Sequence, residues 1–248
     1  KTLGLLWNVP VFGVNHLRGH AFSVFMPSFL GNHFEWQDYM PHLGLLVSGG
    51  NTVLFSLDIS LDLKVIAETV DDAAGEALDK GAKLLGMPYP GGAKMEESAK
   101  DGNPKAFDFP LAFPEKNELK FSFSGLKTSL FYKLNNWTES EIELKKADLS
   151  ASYQKAVVDQ LVRKTGQVIS TNSFKSFGLS GGVANNELIR SEFGKLCQDQ
   201  ELKFLPAEKR HTGDNAAMIA FAAISQPSGM VDNAAQSLTF LPSLRIDH

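Results

Sequence analysis

Two histidines four residues apart, His16 and His20 in Asn15-His16-Leu17-Arg18-Gly19-His20, are the first side chains of the chain able to hold a metal ion together. At the start of a helix this spacing puts both imidazoles on one face, about 5–6 Å apart at Cβ, close enough to share a cation. The zinc-peptidase pattern needs a glutamate directly after the first histidine as general base. Here that place is Leu17, followed by Arg18, so peptide hydrolysis fails on chemistry. Far downstream, His211-Thr212-Gly213-Asp214-Asn215 runs into another helical pattern. Asp214 either caps that helix or completes a set of two histidines and one carboxylate with open positions, suited to Fe(II) or Zn(II). His211 is the other candidate ligand, and reads more simply as a surface residue or one that supports the ligands.

Glycines supply a second kind of chemistry. Leu45-Leu46-Val47-Ser48-Gly49-Gly50-Asn51-Thr52 reads as strand, Ser-Gly-Gly turn and a second strand. Adjacent glycines let backbone N–H groups approach an anion without Cβ obstruction, and a plain hairpin turn is the alternative. The pattern returns in Leu179-Ser180-Gly181-Gly182-Val183-Ala184-Asn185-Asn186, where the strand runs into a helix whose N-terminus favours phosphate. Two such elements in one chain point to a nucleotide held between them. Between the turns, Asp72, Glu76 and Asp79 are spaced i, i+4 and i+7, one face of a helix. Three carboxylates there repel one another unless some meet a ligand, or the face is simply solvated. Pro90-Gly91-Gly92 follows, a loop able to pass close to a sugar or base edge.

These residues need elements to position them. Val9–Val14, His42–Val47 and Phe174–Leu179 read as buried strands, and Leu17–Phe25, Ala67–Leu85, Leu149–Ile169, Asn185–Cys197 and Asn215–Ile224 as helices. Pro88–Pro114 reads as an ordered loop or lobe boundary. Alternation of strand and helix predicts an α/β architecture. A length of 248 residues allows one large domain or two modest lobes. The net charge of −4 argues against coating nucleic acid by bulk electrostatics. A local patch is left open by the five lysines between Lys105 and Lys133, which a solvated face explains equally well. Cys197, the single cysteine, excludes an internal disulfide, reads as a buried helix residue and fits a reducing compartment. No apolar run approaches the roughly 18 residues of a membrane span.

Taken in order, Asn15–His20, Leu46–Thr52, Asp71–Lys83, Tyr89–Gly92, Phe121–Thr128, Ser180–Asn186 and Asp214–Ala220 resemble the bacterial threonylcarbamoyl transferase family TsaD, once described as a glycoprotease. The resemblance implies an actin-like ATPase fold of two lobes. Residues 1–47 would be the remainder of a first lobe with the metal helix, and 48–248 a second lobe with the nucleotide loops. It further implies that His16, His20 and Asp214 bind one divalent metal, Fe(II) first and Zn(II) second. Leu46, Val47, Ser48, Gly49, Gly50, Asp79, Gly92, Glu96 and Asn186 would hold threonylcarbamoyl-AMP. The threonylcarbamoyl group would pass to N6 of adenosine 37 in tRNAs reading A-starting codons. Proteins of the TsaB and TsaE type would assist, in the bacterial cytoplasm or, as second choice, the mitochondrion. The alternatives are another carbamoyltransferase or a kinase on the same fold, or a catalytically incomplete binding subunit. Three departures stand out: Arg18 where the family has an acidic residue, Asn51 where it has histidine, and no match to the family's opening Glu-Thr-Ser-Cys-Asp motif, so the first lobe is expected to be incomplete.

Overall fold

A computed structural model of the chain describes residues 2–31, 33–115, 118–226, 230–232, 241 and 244–247. A short helix α1 (Thr2–Trp7) leads to strand β1 (Phe12–Val14) and helices α2 (His16–Ser23) and α3 (Met26–Phe29). Strands β2 (His42–Val47), β3 (Thr52–Leu57) and β4 (Leu63–Glu68) precede helices α4 (Ala74–Leu84), α5 (Gly91–Ala99), α6 (Ser124–Leu134) and α7 (Glu139–Ile169). β5 (Ser176–Ser180), α8 (Glu187–Asp199), β6 (Lys203–Pro206), α9 (Ala216–Ser225) and β7 (Met230–Asp232) complete the order.

All six residues of β2 are buried, as an unbroken apolar run requires of a strand covered on both faces. β2 pairs antiparallel with β3 and parallel with β5, and the sheet order is β4-β3-β2-β5-β6. The β2–β3 hairpin carries this sheet across position 47. Side-chain alternation divides the core in two. Leu43, Leu45 and Val47 face a cluster with Phe177, Leu179 and residues of α4 to α8, while Leu46, Phe55 and Leu57 face Ala21, Phe22, Phe25, Met218 and Phe221. Helices α2 and α9 therefore share the second face of the sheet. β1 and β7 pair antiparallel outside it.

The α/β architecture is as expected; several boundaries differ. The helix expected from Ala67 begins at Ala74. Ala67 and Glu68 close β4 instead, and Thr69 and Phe121 form a bridge, with Val70 N–H donating to Phe121 O at 2.9 Å. Asp72 thus precedes α4 and is not on its face. The strand expected from Val9 shortens to Phe12–Val14, because Pro10 brings no N–H to a ladder. Pro88–Pro114 contains helix α5, entered through Pro90 at its N-cap. α7 starts ten residues before Leu149, behind a capping box in which Thr138 and Glu141 satisfy each other's backbone N–H groups. β4, β6 and α6 had no counterpart in the sequence reading. Cys197 is buried in α8, and among the described residues no helix is long and apolar enough to cross a membrane.

His42 opens β2 fully buried, its Nδ1 2.7 Å from Ser176 Oγ and its Nε2 without a partner among the described residues. Burial lowers its pKa from 6.5 to about 3. The unfolded chain therefore takes up this proton more readily, so the stability contribution is whole above pH 6.5 and is lost as pH falls toward 3. Denaturant unfolding between pH 6.5 and 4 is expected to show a slope steeper than that of His42→Gln by up to about 1.4 kcal/mol per pH unit. Identical slopes would mean that the imidazole titrates normally.

Candidate metal and nucleotide site

Asn15 starts α2 by accepting the N–H groups of Leu17 and Arg18 at 2.9 and 3.4 Å, which fixes where the first histidine stands. At the start of α9, Asn215 takes the cap, accepting Met218 N–H at 2.9 Å. That assignment removes the capping alternative for Asp214 and leaves its carboxylate to the histidines. Asp214 Oδ1 lies 3.2 Å from His16 Nε2 and 3.1 Å from His20 Nε2. One ligand atom from each of the three residues falls within 4.8 Å of the others.

The donor set fits a divalent ion. Two imidazole nitrogens and a carboxylate oxygen about 2.1 Å from a shared centre stand about 3.0–3.4 Å from one another in octahedral or tetrahedral geometry. The two Asp214 separations match. His20 is the buried member, with 5% of its side chain exposed against 52% for His16 and 76% for Asp214. Burial and then the neighbouring His16 lower the His20 pKa, against the hydrogen bond and charge of Asp214. The ring is thereby held toward its neutral, metal-binding form. His20 Nδ1 has no partner among the described residues, so the ring is oriented by Nε2 facing Asp214. His211 stays outside this cluster, half-buried with Nδ1 3.6 Å from Glu208 Oε2.

Both Ser-Gly-Gly turns lie at the same end of the sheet, after the parallel strands β2 and β5. The first is a hairpin turn, closed by Ser48 N–H to Asn51 O at 2.8 Å and Asn51 N–H to Ser48 Oγ at 3.0 Å. Leu46 and Val47 are buried beneath it. Gly75, near the start of α4, brings the turns together: a Cβ there would stand 2.6 Å from Ser48 O and 2.8 Å from Val183 Cγ2. Gly49, Gly50 and Gly182 have nothing within 4 Å of a Cβ, so these backbones border open space.

The remaining expected residues continue from that point. Asp79 Oδ1 accepts Gly92 N–H at 2.8 Å, joining α4 to α5. Glu96 of α5 accepts Glu187 N–H at 2.7 Å, and the adjacent Asn186 caps α8 while donating to Gln154 Oε1 at 2.9 Å. Hydrogen bonds thus join Asp79 with Gly92 and Glu96 with the residue after Asn186, while Leu46 and Val47 are buried beneath the first turn. Asn185, in the second turn, donates to Thr212 Oγ1 at 2.6 Å, two residues from Asp214. One hydrogen bond separates the glycine turns from the ligand loop.

Asp72 and Glu76 share one lysine. Both bind Lys80, at 2.7 and 2.9 Å. Sequence reasoning missed Asp71. Burial pushes its carboxyl up, but bonds from Ser122, Phe123 N–H and Ser124 outweigh that and hold it below its ordinary value. It anchors the Phe-Ser-Phe-Ser-Gly segment at the start of α6.

An α/β sheet of the actin-like ATPase fold class here carries paired glycine turns and a cluster of two histidines and one carboxylate. The family model described as "TsaD: tRNA N6-adenosine threonylcarbamoyltransferase" matches residues 1–221, and the chain belongs to that family. The chain is 43% identical over 224 residues to the tRNA N6-adenosine threonylcarbamoyltransferase of Anaeromyxobacter dehalogenans (strain 2CP-1 / ATCC BAA-258), covering 90% of this chain and 64% of that protein. It is 40% identical over 248 residues to the Moorella thermoacetica protein of the same name, covering 100% of this chain and 70% of the other. The chain therefore spans slightly less than two thirds of the first relative's length. Among solved structures, T. kodakarensis HypF superposes with a TM-score of 0.65 at 16% identity, over 92% of this chain and 38% of HypF, a likeness of fold.

Proposed function

We propose that this chain serves the transfer of a threonylcarbamoyl group from threonylcarbamoyl-AMP to N6 of adenosine 37 in tRNAs reading A-starting codons. The observation that carries it is the approach of His16 Nε2 and His20 Nε2 to within 3.2 Å of Asp214 Oδ1, in a loop that one hydrogen bond joins to the second glycine turn. In this reading the three residues hold one divalent ion, iron in preference to zinc. When bound, it supplies Lewis acidity toward the carbonyl and phosphate oxygens of the adenylate. Backbone N–H groups of Gly49, Gly50 and Gly182 face the phosphate, where no side chain intervenes. Asp79, Gly92, Glu96 and Asn186 line the approach for ribose and base. The N6 amine attacks the carbamoyl carbon, the bond to the phosphate breaks and AMP leaves. No side chain is assigned as general base. Partner proteins of the TsaB and TsaE type and a cytoplasmic setting belong to the same reading.

The test is to incubate the chain, its metal and the partner proteins with threonylcarbamoyl-AMP and unmodified tRNA, then analyse nucleosides by mass spectrometry. Threonylcarbamoyladenosine is the expected product; phosphorylated carbohydrate from ATP in a parallel assay would replace the reading with a kinase. Asp79→Ala is expected to weaken adenylate binding about 10- to 100-fold, the size of a lost charged hydrogen bond, with metal content unchanged. Calorimetry giving the wild-type affinity would take Asp79 out of the pocket.

A further inference from the structure

Arg18 stands between the two histidines in sequence, but two residues along a helix turn a side chain by about 200°, so it leaves α2 on the side away from the imidazoles. There Nε donates to Ile246 O at 3.1 Å and Nη1 donates to Gln226 Oε1. Gln226 is the C-cap of α9, the helix whose opposite end begins just after Asp214. Its own Nε2 donates to Leu61 O at 2.8 Å, anchoring the pair to the chain ahead of β4. Ile246 is buried in the same core as α2 and α9, and Asn15 donates to Arg245 O at 2.6 Å.

The two helices meet at Gly19. A Cβ there would stand 2.9 Å from Ile219 Cδ1 and 3.2 Å from Met218 Cγ, so contact is close and only a small residue fits. The histidine–Asp214 contact involves the residue just before the N-cap of α9, and the Arg18–Gln226 bond the residue that ends it; the pivot lies between them. Four residues of helix span about 6 Å, so about 5° of rotation about Gly19 moves Asp214 by roughly 0.5 Å. Metal–ligand bonds tolerate only about ±0.2 Å.

We propose that Arg18 and Gln226 form a positioning pair that fixes the angle of α9 against α2 and so keeps Asp214 within ligand reach of His16 and His20. The inference rests on the metal reading above, and its test separates the two. The chain is stripped with chelator and titrated with Zn(II), comparing wild type, Arg18→Ala, Gln226→Ala, the double variant and His20→Ala, with unfolding midpoints of each metal-free protein measured alongside. Each single variant at the pair is expected to weaken Zn(II) binding about tenfold or more, as the loss of groups supporting metal ligands does. The double variant is expected to lose no more than the worse single, because either break frees the same helix. A lower unfolding midpoint with unchanged Zn(II) affinity would make Arg18 a fold residue only and overturn the proposal, as would fully additive losses. If Arg18→Ala does not fold, the half-buried Gln226→Ala decides alone. Wild-type affinity in His20→Ala would instead overturn the metal site itself.

Discussion

Chain carrying alanine at His20 is expected to come through purification without divalent metal, while the wild type holds one ion per chain. His20 is the proposed ligand from which water is excluded, and its burial already favours the neutral ring. Removing it leaves His16 and Asp214, both more than half exposed, as the remaining donors. A site reduced from three protein ligands to two exposed ones should bind at least about 100-fold more weakly, roughly 3 kcal/mol. A misfolded variant would give the same loss for a trivial reason, so Asp214→Asn belongs in the experiment. The amide keeps the size of the side chain and can bond an imidazole, yet removes the anionic donor. Because Asn215 caps α9, changing Asp214 leaves that helix start intact. Metal analysis should find both variants depleted, with Asp214→Asn unfolding within about 0.5 kcal/mol of the metal-free wild type. Stoichiometric metal in either would remove the three residues from the mechanism.

What the sequence discloses and what it hides follow a physical division. His16 and His20 were legible because an i, i+4 spacing is a local fact of helix geometry. Asp214 was ambiguous because Asp and Asn both cap helices, and only the structure shows that Asn215 takes that role. The strands β2 and β5 could be read from apolar runs, since both are buried throughout. Only the last two residues of β4, Ala67 and Glu68, fall within the expected helix, and the pairing of β4 with β3 is a tertiary fact. The carboxylates tell the same story. Their helical spacing implied a shared face, yet Asp72 and Glu76 both pair with Lys80 while Asp79 reaches across to a backbone N–H of α5. Bonds from Arg18 to residues 226 and 246 leave no periodic trace at all.

The second large effect separates the two duties of the glycine turns. Gly181 has φ +90° and ψ 163°, a region open essentially only to glycine, and a Cβ on it would stand 2.2 Å from Val47 O. That oxygen belongs to the end of β2, the central strand, and has nowhere to retreat. Gly181→Ala therefore combines backbone strain of about 1–3 kcal/mol with an overpacking cost of similar size. The sum, about 2–6 kcal/mol, is a large part of the 5–15 kcal/mol that typical domains possess. Gly49→Ala and Gly182→Ala meet nothing within 4 Å and have no left-handed φ, so their folding free energies should stay within about 0.5 kcal/mol of wild type. Their methyl groups would instead occupy the space assigned to the adenylate phosphate, and affinity for threonylcarbamoyl-AMP should fall about tenfold or more, at least 1.4 kcal/mol. Urea midpoints and adenylate calorimetry on the three variants read the two effects independently. A Gly181→Ala protein as stable as the wild type would mean that the two strands do not approach so closely. Wild-type adenylate affinity in both Gly49→Ala and Gly182→Ala would show that the phosphate lies elsewhere.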